Sequence, residues 1–497
     1  MISTGMREIR YAFSMLTGRR LKIHSLQKLV RDLRDTLEEF GEASDEVSQL
    51  LMIGETDVRT QQEVSNRRLG QAVANAAAHT VYYREQFAKS GIDPADVTAS
   101  ALADMLRPTP KSALRAMPAA FVSDLAEPVL LSQTTGSTGT PTSVWFSAYE
   151  LEVLSTLDAL SGMLMGGLRP HHVVASFASS RAMLSAYDLQ RSSSLVGNGC
   201  LQVGIVDPAI ALERLAAPLG LPGKVAQISH MMANPSYLGR LVEAAERGGW
   251  TEADFGLQSI FSGGEIVTEA LRERALEVFG AVVVETYSAT EITPVAAQVC
   301  SGRHLHTAPH HGRVEVLDPA TKRPVSAGGV GELVVTPYPP FRDTTLLLRY
   351  ETGDLVRTPD GDAPLTCELR GVPATSQVLG RVGNYAGAYT RAVLEAVQSE
   401  RGIPLPSRYA LTPSAAGPML HVVAPHGDRA LEGRLYSGIV DRGVDLGGLV
   451  LVDDDADLPR PCPVRADLTE HSFEAAGPTR RGPDLAGRTH ELLGSGL

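Results

Sequence analysis

Leu131-Ser-Gln-Thr-Thr-Gly-Ser-Thr-Gly-Thr-Pro-Thr142 is the stretch of this 497-residue chain that says most about its fold. Seven residues in a row, 134 to 140, are glycine or carry a hydroxyl group. Glycines leave backbone N–H groups accessible, and these groups, with Thr and Ser hydroxyls, can surround the oxygens of a phosphate. The segment is therefore a candidate nucleotide-phosphate loop, formed by Thr134, Thr135, Gly136, Ser137, Thr138 and Gly139.

The residues on either side of this loop predict a strand and a helix. The apolar run Pro128-Val-Leu-Leu131 precedes it, and Ser147-Ala-Tyr-Glu150 has the form of a capping box that opens a helix through Met165. Strand, loop and helix in this order are a setting in which phosphates bind. The loop lacks the lysine of the common Gly-x-x-x-x-Gly-Lys-Ser/Thr motif, and a plain polar surface loop is the alternative.

The composition and charge of the chain argue against two classes of partner. Its 45 Lys and Arg and 57 Asp and Glu residues give a net charge of −12 and are interspersed, which disfavours nucleic acid or an anionic membrane as the main partner. Only the region from Arg7 to Lys28 is locally basic, and no window approaches the roughly 20 apolar residues of a membrane span. Four cysteines are too few for a disulfide framework here, so a cytoplasmic protein is predicted.

Two patterns predict the architecture. Helical stretches rich in Ala, Leu, Glu and Arg alternate with short Val and Ile runs such as Val282-Val-Val284, which is typical of an α/β protein. Apolar residues at helical spacing predict an amphipathic helix over residues 26 to 40. We expect this helix to pack on the body of the protein; packing on a second subunit, in a homodimer, is the alternative.

Three further segments are candidates for ligand binding. Phe261-Ser-Gly-Gly-Glu265 and Val283-Val-Glu-Thr-Tyr-Ser-Ala-Thr-Glu291 each end an apolar run, and strand ends followed by small residues are where open α/β sheets bind ligands. Tyr350-Glu-Thr-Gly-Asp354 ends in a carboxylate, which can accept two hydrogen bonds at once. Taken alone, Thr-Gly-Asp is also ordinary turn chemistry.

The order and spacing of these motifs resemble the adenylate-forming superfamily, in particular its phenylacetate-CoA ligase-like branch. Residues 67 to 121 add to the likeness, because Tyr82-Tyr-Arg84 and Gly91-Ile-Asp-Pro94 resemble the helical N-terminal segment of those ligases. The resemblance implies an α/β fold in three parts: an N-terminal helical extension, a large ATP- and acid-binding lobe and, after a hinge, a small α+β C-terminal domain, at residues 1–66, 67–379 and 380–497.

The resemblance also implies roles for individual residues. Thr290 and Glu291 would be catalytic, holding the phosphates and a magnesium ion, which agrees with the one or two carboxylates that Mg²⁺ usually takes from a protein. Tyr287 would stack on the adenine base of ATP or AMP, Asp354 would accept both ribose hydroxyls, and Arg381 would support the ribose. The implied nucleotide-binding set is Thr134, Thr135, Gly136, Ser137, Thr138, Gly139, Gly263, Gly264, Glu265, Glu285, Thr286, Tyr287, Ser288, Asp354 and Arg381.

Cysteines and histidines cluster in Cys300-Ser-Gly-Arg-His-Leu-His-Thr-Ala-Pro-His-His311, and Cys367 follows later. Two thiolates and two imidazoles can form a closed tetrahedral zinc site. The resemblance favours Cys300, His306, His311 and Cys367 as the ligands of a structural zinc ion, and leaves out His304 and His310. A histidine-rich surface loop beside two unrelated buried cysteines is the alternative.

The chain departs from the family in its positive charges. Adenylate-forming enzymes normally use a lysine of the C-terminal domain to hold the acid and the phosphates, and no lysine follows Lys322 here. Arg480 or Arg481 is the expected replacement, with Arg481 as the predicted catalytic residue, although guanidinium does not copy the geometry of ammonium. The phosphate loop continues Pro141-Thr142 where the family commonly has Pro-Lys, and the hinge has Gly383-Asn384 in place of aspartates.

Three functions are compatible with these features. The leading hypothesis is an ATP-dependent, AMP-forming ligase of secondary metabolism, which adenylates a small aromatic carboxylic acid and passes the acyl group to coenzyme A or another separate nucleophile. The second keeps the ATP site but uses nitrite to diazotise an arylamine, or joins two aminobenzoates, as relatives in antibiotic biosynthesis do. The third is a degenerate, non-catalytic nucleotide-binding homologue; intact Thr290, Glu291 and Asp354 weigh against it.

Overall fold

The computed structural model describes residues 19–41, 58–134, 141–179, 183–361, 366–369, 371–383 and 389–459. The helices, in chain order, are α1 (Ile23–Phe40), α2 (Val58–His79), α3 (Val81–Ser90), α4 (Leu102–Met105), α5 (Lys111–Ala116), α6 (Ala148–Leu164), α7 (Met183–Val196), α8 (Pro208–Ala216), α9 (Pro235–Gly248), α10 (Glu269–Phe279), α11 (Thr390–Ser399) and α12 (Arg429–Val440). The strands are β1 (Pro128–Gln133), β2 (Ser143–Ser147), β3 (Val173–Ser176), β4 (Gly199–Gln202), β5 (His230–Met232), β6 (Ser259–Gly263), β7 (Val282–Tyr287), β8 (Ala297–Val299), β9 (His304–Thr307), β10 (Gly312–Leu317), β11 (Val330–Pro337), β12 (Tyr350–Arg357), β13 (Ala374–Ser376), β14 (Gly380–Arg381), β15 (Tyr409–Thr412), β16 (Met419–Val423) and β17 (Gly448–Val452).

The large lobe is built on an eight-stranded sheet in the order β13-β9-β8-β7-β6-β5-β3-β4. Strands β3 to β7 run parallel to one another, and helices α7 to α10 provide the crossovers that parallel pairing requires. All four residues of β3 are buried, as expected for a strand that is covered on both faces. The α/β prediction is confirmed, and the carboxyl ends of β6 and β7 lie side by side.

The predicted phosphate loop connects two strands rather than a strand and a helix. The expected strand is β1, and it pairs antiparallel with β2, which the sequence analysis did not predict. Thr134 and Thr142 close the base of the loop, because the Thr142 N–H donates to Thr134 Oγ1 at 2.9 Å. The predicted capping box is present, since Ser147 Oγ accepts from the Glu150 N–H and Glu150 Oε2 accepts from the Ser147 N–H.

A second, four-stranded antiparallel sheet has the order β10-β11-β12-β14. Its pairing places Asp354 of β12 directly opposite Arg381 of β14. Apolar residues of β11 and β12 share one core with helices α2 and α3, including the buried side chains of Tyr83 and Tyr350. This core fixes the second sheet, which carries Asp354 and Arg381, against the large lobe.

Helix α1 packs on the large lobe. Leu29, Val30 and Leu37 are buried against α6 and α7, which confirms the expected packing on the body of the protein. Phe40, at the end of the same apolar pattern, is 76% exposed. Helix α2 crosses the expected boundary between the N-terminal extension and the lobe at residues 66 and 67.

The C-terminal region from residue 389 to 459 has its own apolar core. Helices α11 and α12 pack on a three-stranded sheet in which β16 pairs antiparallel with β15 and parallel with β17. This is the α+β arrangement expected of the small domain. In the described part of the chain, no helix combines the length and the apolar composition that crossing a membrane requires.

Candidate active site

The ends of β6 and β7 form one edge of the main sheet. Gly263 lies opposite Thr286 in this parallel pair, and a Cβ at position 263 would lie 2.5 Å from the Thr286 carbonyl oxygen. Glycine is therefore required for the two backbones to approach so closely. Thr286 and Ser288 are exposed beside Gly263, which leaves polar groups accessible at the carboxyl ends of the strands, the usual ligand position in such sheets.

Three strands bring Tyr287, Asp354 and Arg381 together, and we call these residues the Asp354 group. The Tyr287 hydroxyl donates to Asp354 Oδ2 at 2.8 Å, and Arg381 Nε lies 2.8 Å from Asp354 Oδ1. Asp354 is 5% exposed, and burial raises the pKa of its carboxyl, an effect that the charge of Arg381 opposes. Burial and the nearby carboxylate raise the pKa of Tyr287, so its hydroxyl remains a neutral donor.

Glu291 lies almost fully buried beside the Asp354 group, at 1% exposure. Its Oε1 accepts from the Tyr350 hydroxyl at 3.1 Å and lies 2.9 Å from the ammonium nitrogen of Lys111. Lys111 begins helix α5, and Arg115 follows one turn later with a buried Nε that has no hydrogen-bond partner among the described residues. Buried charged groups require such pairing, and Lys111 provides it for Glu291.

Two cysteines and two histidines form a separate cluster, Cys300, His304, His306 and Cys367, which we call the Cys–His group. One ligand atom from each residue lies within 4.8 Å of the others. His304 Nδ1 is 3.4 Å from Cys300 Sγ, and His306 Nε2 is 3.3 Å from Cys367 Sγ. His306 Nδ1 is 3.2 Å from the carbonyl oxygen of Val372, which leaves Nε2 directed at the cluster.

A match to a family model that covers more than half of the chain identifies its family. A family model described as AMP-binding enzyme matches residues 47–338, more than half of the chain. The chain belongs to the AMP-binding enzyme family. The resemblance to adenylate-forming enzymes is therefore confirmed. The Asp354 group and Glu291 are the candidate residues for an AMP-binding site in this chain.

Relatives within the AMP-binding enzymes support the phenylacetate-CoA ligase-like branch. Proteins named phenylacetate-coenzyme A ligase from Thermus thermophilus and Pseudomonas putida are each 26% identical to this chain, over 301 and 336 residues. The matches cover 59% and 64% of this chain. They cover 64% and 69% of the two relatives, so the chain spans less than two thirds of the Thermus protein's length.

Solved structures agree on the fold of this AMP-binding enzyme. The 2-hydroxyisobutyryl-CoA ligase in its postadenylation state has a TM-score of 0.68 at 20% identity, covering 84% of this chain and 91% of that one. An open conformation of the same ligase with 2-HIB-AMP and CoA has a TM-score of 0.60 at 20% identity, covering 81% and 90%. At this level of identity the likeness shows the fold alone.

Two carboxylates of the expected nucleotide set have other partners. Glu265 accepts from the Ser236 N–H at 2.8 Å and from Asn234 Nδ2 at 3.2 Å, so it stabilises the start of α9. Glu285 is paired with Arg272 and also accepts from Gln377 Nε2 at 2.7 Å. Since both side chains are engaged within the protein, we do not include them among the proposed nucleotide ligands.

His311 was expected in the zinc ligand set, and the structure places His304, not His311, in the Cys–His group. Strand β9 runs from His304 to Thr307, and residues two apart on a strand project to the same face, so His304 and His306 point together. His311 lies beyond the end of β9 and packs against Phe341, with ring centroids 4.6 Å apart. Burial lowers the pKa of His311 to about 3, so its ring stays neutral in this apolar setting.

Some expected site residues lie outside the described stretches, and two useful residues were missed. Thr135, Gly136, Ser137, Thr138 and Gly139 of the loop and both candidate arginines, Arg480 and Arg481, are among the residues not described. Lys111 lies within residues 67 to 121, whose resemblance to the ligases indicated no role for it, yet it reaches Glu291. The alternation of His304, Leu305 and His306 was the signal that could have identified His304.

Proposed function

We propose that this protein is an ATP-dependent, AMP-forming ligase that adenylates a small carboxylic acid and transfers the acyl group to coenzyme A. The observation that carries the proposal is the Asp354 group, a buried carboxylate held by a tyrosine hydroxyl and an arginine at the edge of an AMP-binding fold. The two relatives named phenylacetate-coenzyme A ligase favour an aryl acid as the substrate.

The chemistry would proceed in two steps. A carboxylate oxygen of the acid attacks the α-phosphorus of ATP, the bond to the β,γ-phosphates breaks, and pyrophosphate leaves with the displaced negative charge. A thiolate of coenzyme A then attacks the acyl carbon, and AMP leaves as the thioester forms. Both steps need the nucleotide held still while charge moves, which is the task of preorganised polar groups.

The Asp354 group is suited to holding the ribose of the nucleotide. A carboxylate can accept hydrogen bonds from two hydroxyl groups at once. Tyr287 orients the Oδ2 atom of Asp354, and Arg381 orients its Oδ1 atom. Arg381 is about half exposed, so its guanidinium is accessible to a bound nucleotide while it stays beside Asp354. We therefore infer that Asp354 and Arg381 bind ribose, with Thr286, Tyr287 and Ser288 beside the base.

Glu291 is suited to a magnesium ion. Both described polar contacts of its carboxylate are made by Oε1, with Lys111 and Tyr350, and a carboxylate oxygen is a ligand that Mg²⁺ prefers. A bound Mg²⁺ supplies charge that neutralises the phosphate oxygens. Thr290 precedes Glu291 in the same turn and would contribute its hydroxyl to the phosphates.

Lys111 is our candidate for the positive charge that the C-terminal lysine provides in the family. Its ammonium lies at Glu291, and Arg115 on the same helix brings a second cation, whose Nε has no hydrogen-bond partner in the described stretches of the chain. These two groups would attract the phosphates of ATP toward the carboxyl ends of β6 and β7. The role of Arg481 stays a prediction.

We propose further that the Cys–His group binds a structural zinc ion. Two thiolates and two imidazole nitrogens match the ligand number and softness that Zn²⁺ prefers, and three of the four residues are buried. The contact of His306 Nδ1 with the Val372 carbonyl oxygen is the kind of outer interaction that orients a zinc-bound histidine. With four protein ligands the site is closed, so such a zinc ion would stabilise the fold and activate no water.

The proposed function is tested by acid-dependent exchange of radiolabelled pyrophosphate into ATP, with a panel of benzoate-, aminobenzoate- and cinnamate-type acids, each with and without coenzyme A or nitrite. We expect exchange with at least one aryl acid, and AMP and thioester with coenzyme A. Asp354→Ala should weaken AMP binding about 10- to 100-fold, because hydrogen bonds to charged groups contribute about 1.5–3 kcal/mol. Asp96→Asn, at an exposed carboxylate, is the matched control.

Two results would contradict the proposal. One is the absence of pyrophosphate exchange with every acid while the protein is folded. The other is AMP release that depends on nitrite and not on a carboxylic acid.

A further inference from the structure

Arg391, in the first turn of α11, is buried where the small domain meets the large lobe. Its Nε donates to the carbonyl oxygen of Val378 at 2.7 Å, and Nη1 donates to that of Val267 at 2.9 Å. Its Nη2 lies 3.8 Å from Glu285 Oε1. One side chain of the small domain thus contacts the hinge segment, the loop after β6 and the strand β7.

The contact with Glu285 connects Arg391 to the Asp354 group through strand β7. Glu285 and Tyr287 lie two residues apart on β7, and Tyr287 is the residue whose hydroxyl holds Asp354. Arg272 and Gln377 also bind Glu285, so this carboxylate is fixed from three sides. Burial raises the pKa of Glu285, while Arg272 and Arg391 oppose that shift, so loss of either cation disfavours the charged carboxylate.

The contacts with the hinge connect Arg391 to the Asp354 group a second time, through Arg381. The backbone N–H of Arg391 donates to the Leu379 carbonyl oxygen at 2.9 Å, in addition to the side-chain bond to Val378. Leu379 is bonded to Leu355 of β12, and the next residues, Gly380 and Arg381, pair with β12. The position of Arg391 therefore bears on Arg381 as well as on Tyr287.

We propose that Arg391 is a positioning residue that couples docking of the small domain to nucleotide binding at the Asp354 group. The inference rests on the proposed function, because it requires AMP or ATP to bind at Asp354. Docking orders the two strands that carry Tyr287 and Arg381, so a docked small domain favours the nucleotide. By thermodynamic reciprocity a bound nucleotide favours docking to the same extent.

The same interface offers a contact without this connection. Arg401 pairs with Glu277 at 2.5 Å, and both side chains are more than half exposed. Exposed pairs contribute little, and Glu277 lies in the last turn of α10, on a different element from β7 and the hinge. Arg401→Ala is therefore the matched control, since it removes an arginine from the same domain boundary without touching the Asp354 group.

The test measures AMP affinity by calorimetry and backbone hydrogen exchange of the α11 segment, in the full chain with and without AMP. We expect AMP to slow exchange in wild-type α11. Arg391→Ala should weaken AMP binding roughly tenfold and remove the AMP-dependent protection, within the range of about 5- to 150-fold that is typical of coupling between sites. Arg391→Lys, which keeps a charge near Glu285 but cannot make both carbonyl bonds, should fall between. Arg401→Ala should match the wild type.

The outcomes separate the two proposals. If wild-type protein binds no AMP, the proposed function fails and the coupling fails with it. If the wild type binds AMP while folded Arg391→Ala retains both the affinity and the protection, the coupling alone is overturned. Should Arg391→Ala not fold, Glu285→Gln is measured in the same way; reduced affinity with lost protection supports the coupling, and wild-type behaviour overturns it.

Discussion

Asp354 shows how single side chains determine the chemistry available at the site. Burial alone would favour its neutral form, and a neutral carboxyl is a poorer acceptor for ribose hydroxyls. The charge of Arg381, at 2.8 Å, opposes this effect of burial on the pKa, so the two residues act as one unit. Tyr287 contributes through its hydroxyl, which the sequence did not indicate, because its aromatic ring suggested stacking alone.

Lys111 is the residue at which the proposed catalytic charge can be tested. We expect Lys111→Met to lower kcat for acid-dependent pyrophosphate release by about 10²–10³, the usual loss when one preorganised donor to a developing charge is removed. The KM for the acid should change little, because Lys111 contacts Glu291, a residue on the phosphate side of the proposed site. Steady-state kinetics at saturating ATP measure both constants.

The control for this substitution is Lys89→Met. Lys89 is exposed and pairs with Glu85 one helical turn away, at 3.0 Å, so its loss should leave kcat unchanged. Thermal unfolding of both variants establishes that they are folded. Equal kcat values for Lys111→Met and Lys89→Met would exclude Lys111 from the chemistry.

At the scale of elements, the sequence predicted what local patterns control. The capping box at Ser147 and Glu150 gave the start of α6, and the apolar spacing gave α1 and its buried face. Strand β2 was missed because its five residues stand directly between the loop and the helix cap, and only pairing with β1 makes them a strand. The expected ligand set around Cys300 differs from the Cys–His group by one histidine, because membership of the group depends on the register of β9.

The Cys–His group gives a prediction about the elements that it joins. Cys300 follows β8, two histidines lie on β9, and Cys367 precedes β13, so a zinc ion would fasten three segments. We expect about one zinc ion per chain in the purified protein. Cys367→Ser and His304→Gln should lower the zinc content to near zero and lower the Tm by several degrees, because the binding free energy of a structural zinc is folding free energy.

Two further variants separate this ligand set from the alternatives. His311→Gln should retain zinc, because His311 packs on Phe341 away from the group, and Cys200→Ser, at a half-buried cysteine elsewhere, should do the same. Elemental analysis by mass spectrometry measures the metal directly. Zinc that is lost in His311→Gln and kept in His304→Gln would refute the ligand assignment.

At the scale of the whole molecule, the large lobe and the small domain each contribute a side chain to the apolar core of the other. Leu405 follows α11 and is buried in the core of the large lobe, while Ile266 of the large lobe packs on the core of the small domain. The sequence predicted, through its family resemblance, a hinge near residue 380. It could not reveal this exchange, because each contact joins residues more than 100 positions apart.

Leu405 allows the interlocking of the two units to be tested. Leu405→Ala should destabilise the protein by about 2–5 kcal/mol, the usual loss when a buried leucine is truncated. Because the side chain belongs to one unit and its surroundings to the other, the loss should fall on their docking. Differential scanning calorimetry should show one cooperative transition for the wild type and two separated transitions for Leu405→Ala. Val440→Ala, at a 43% exposed position of the small domain, should melt like the wild type, and a single transition at the wild-type Tm for Leu405→Ala would show that Leu405 does not join the units.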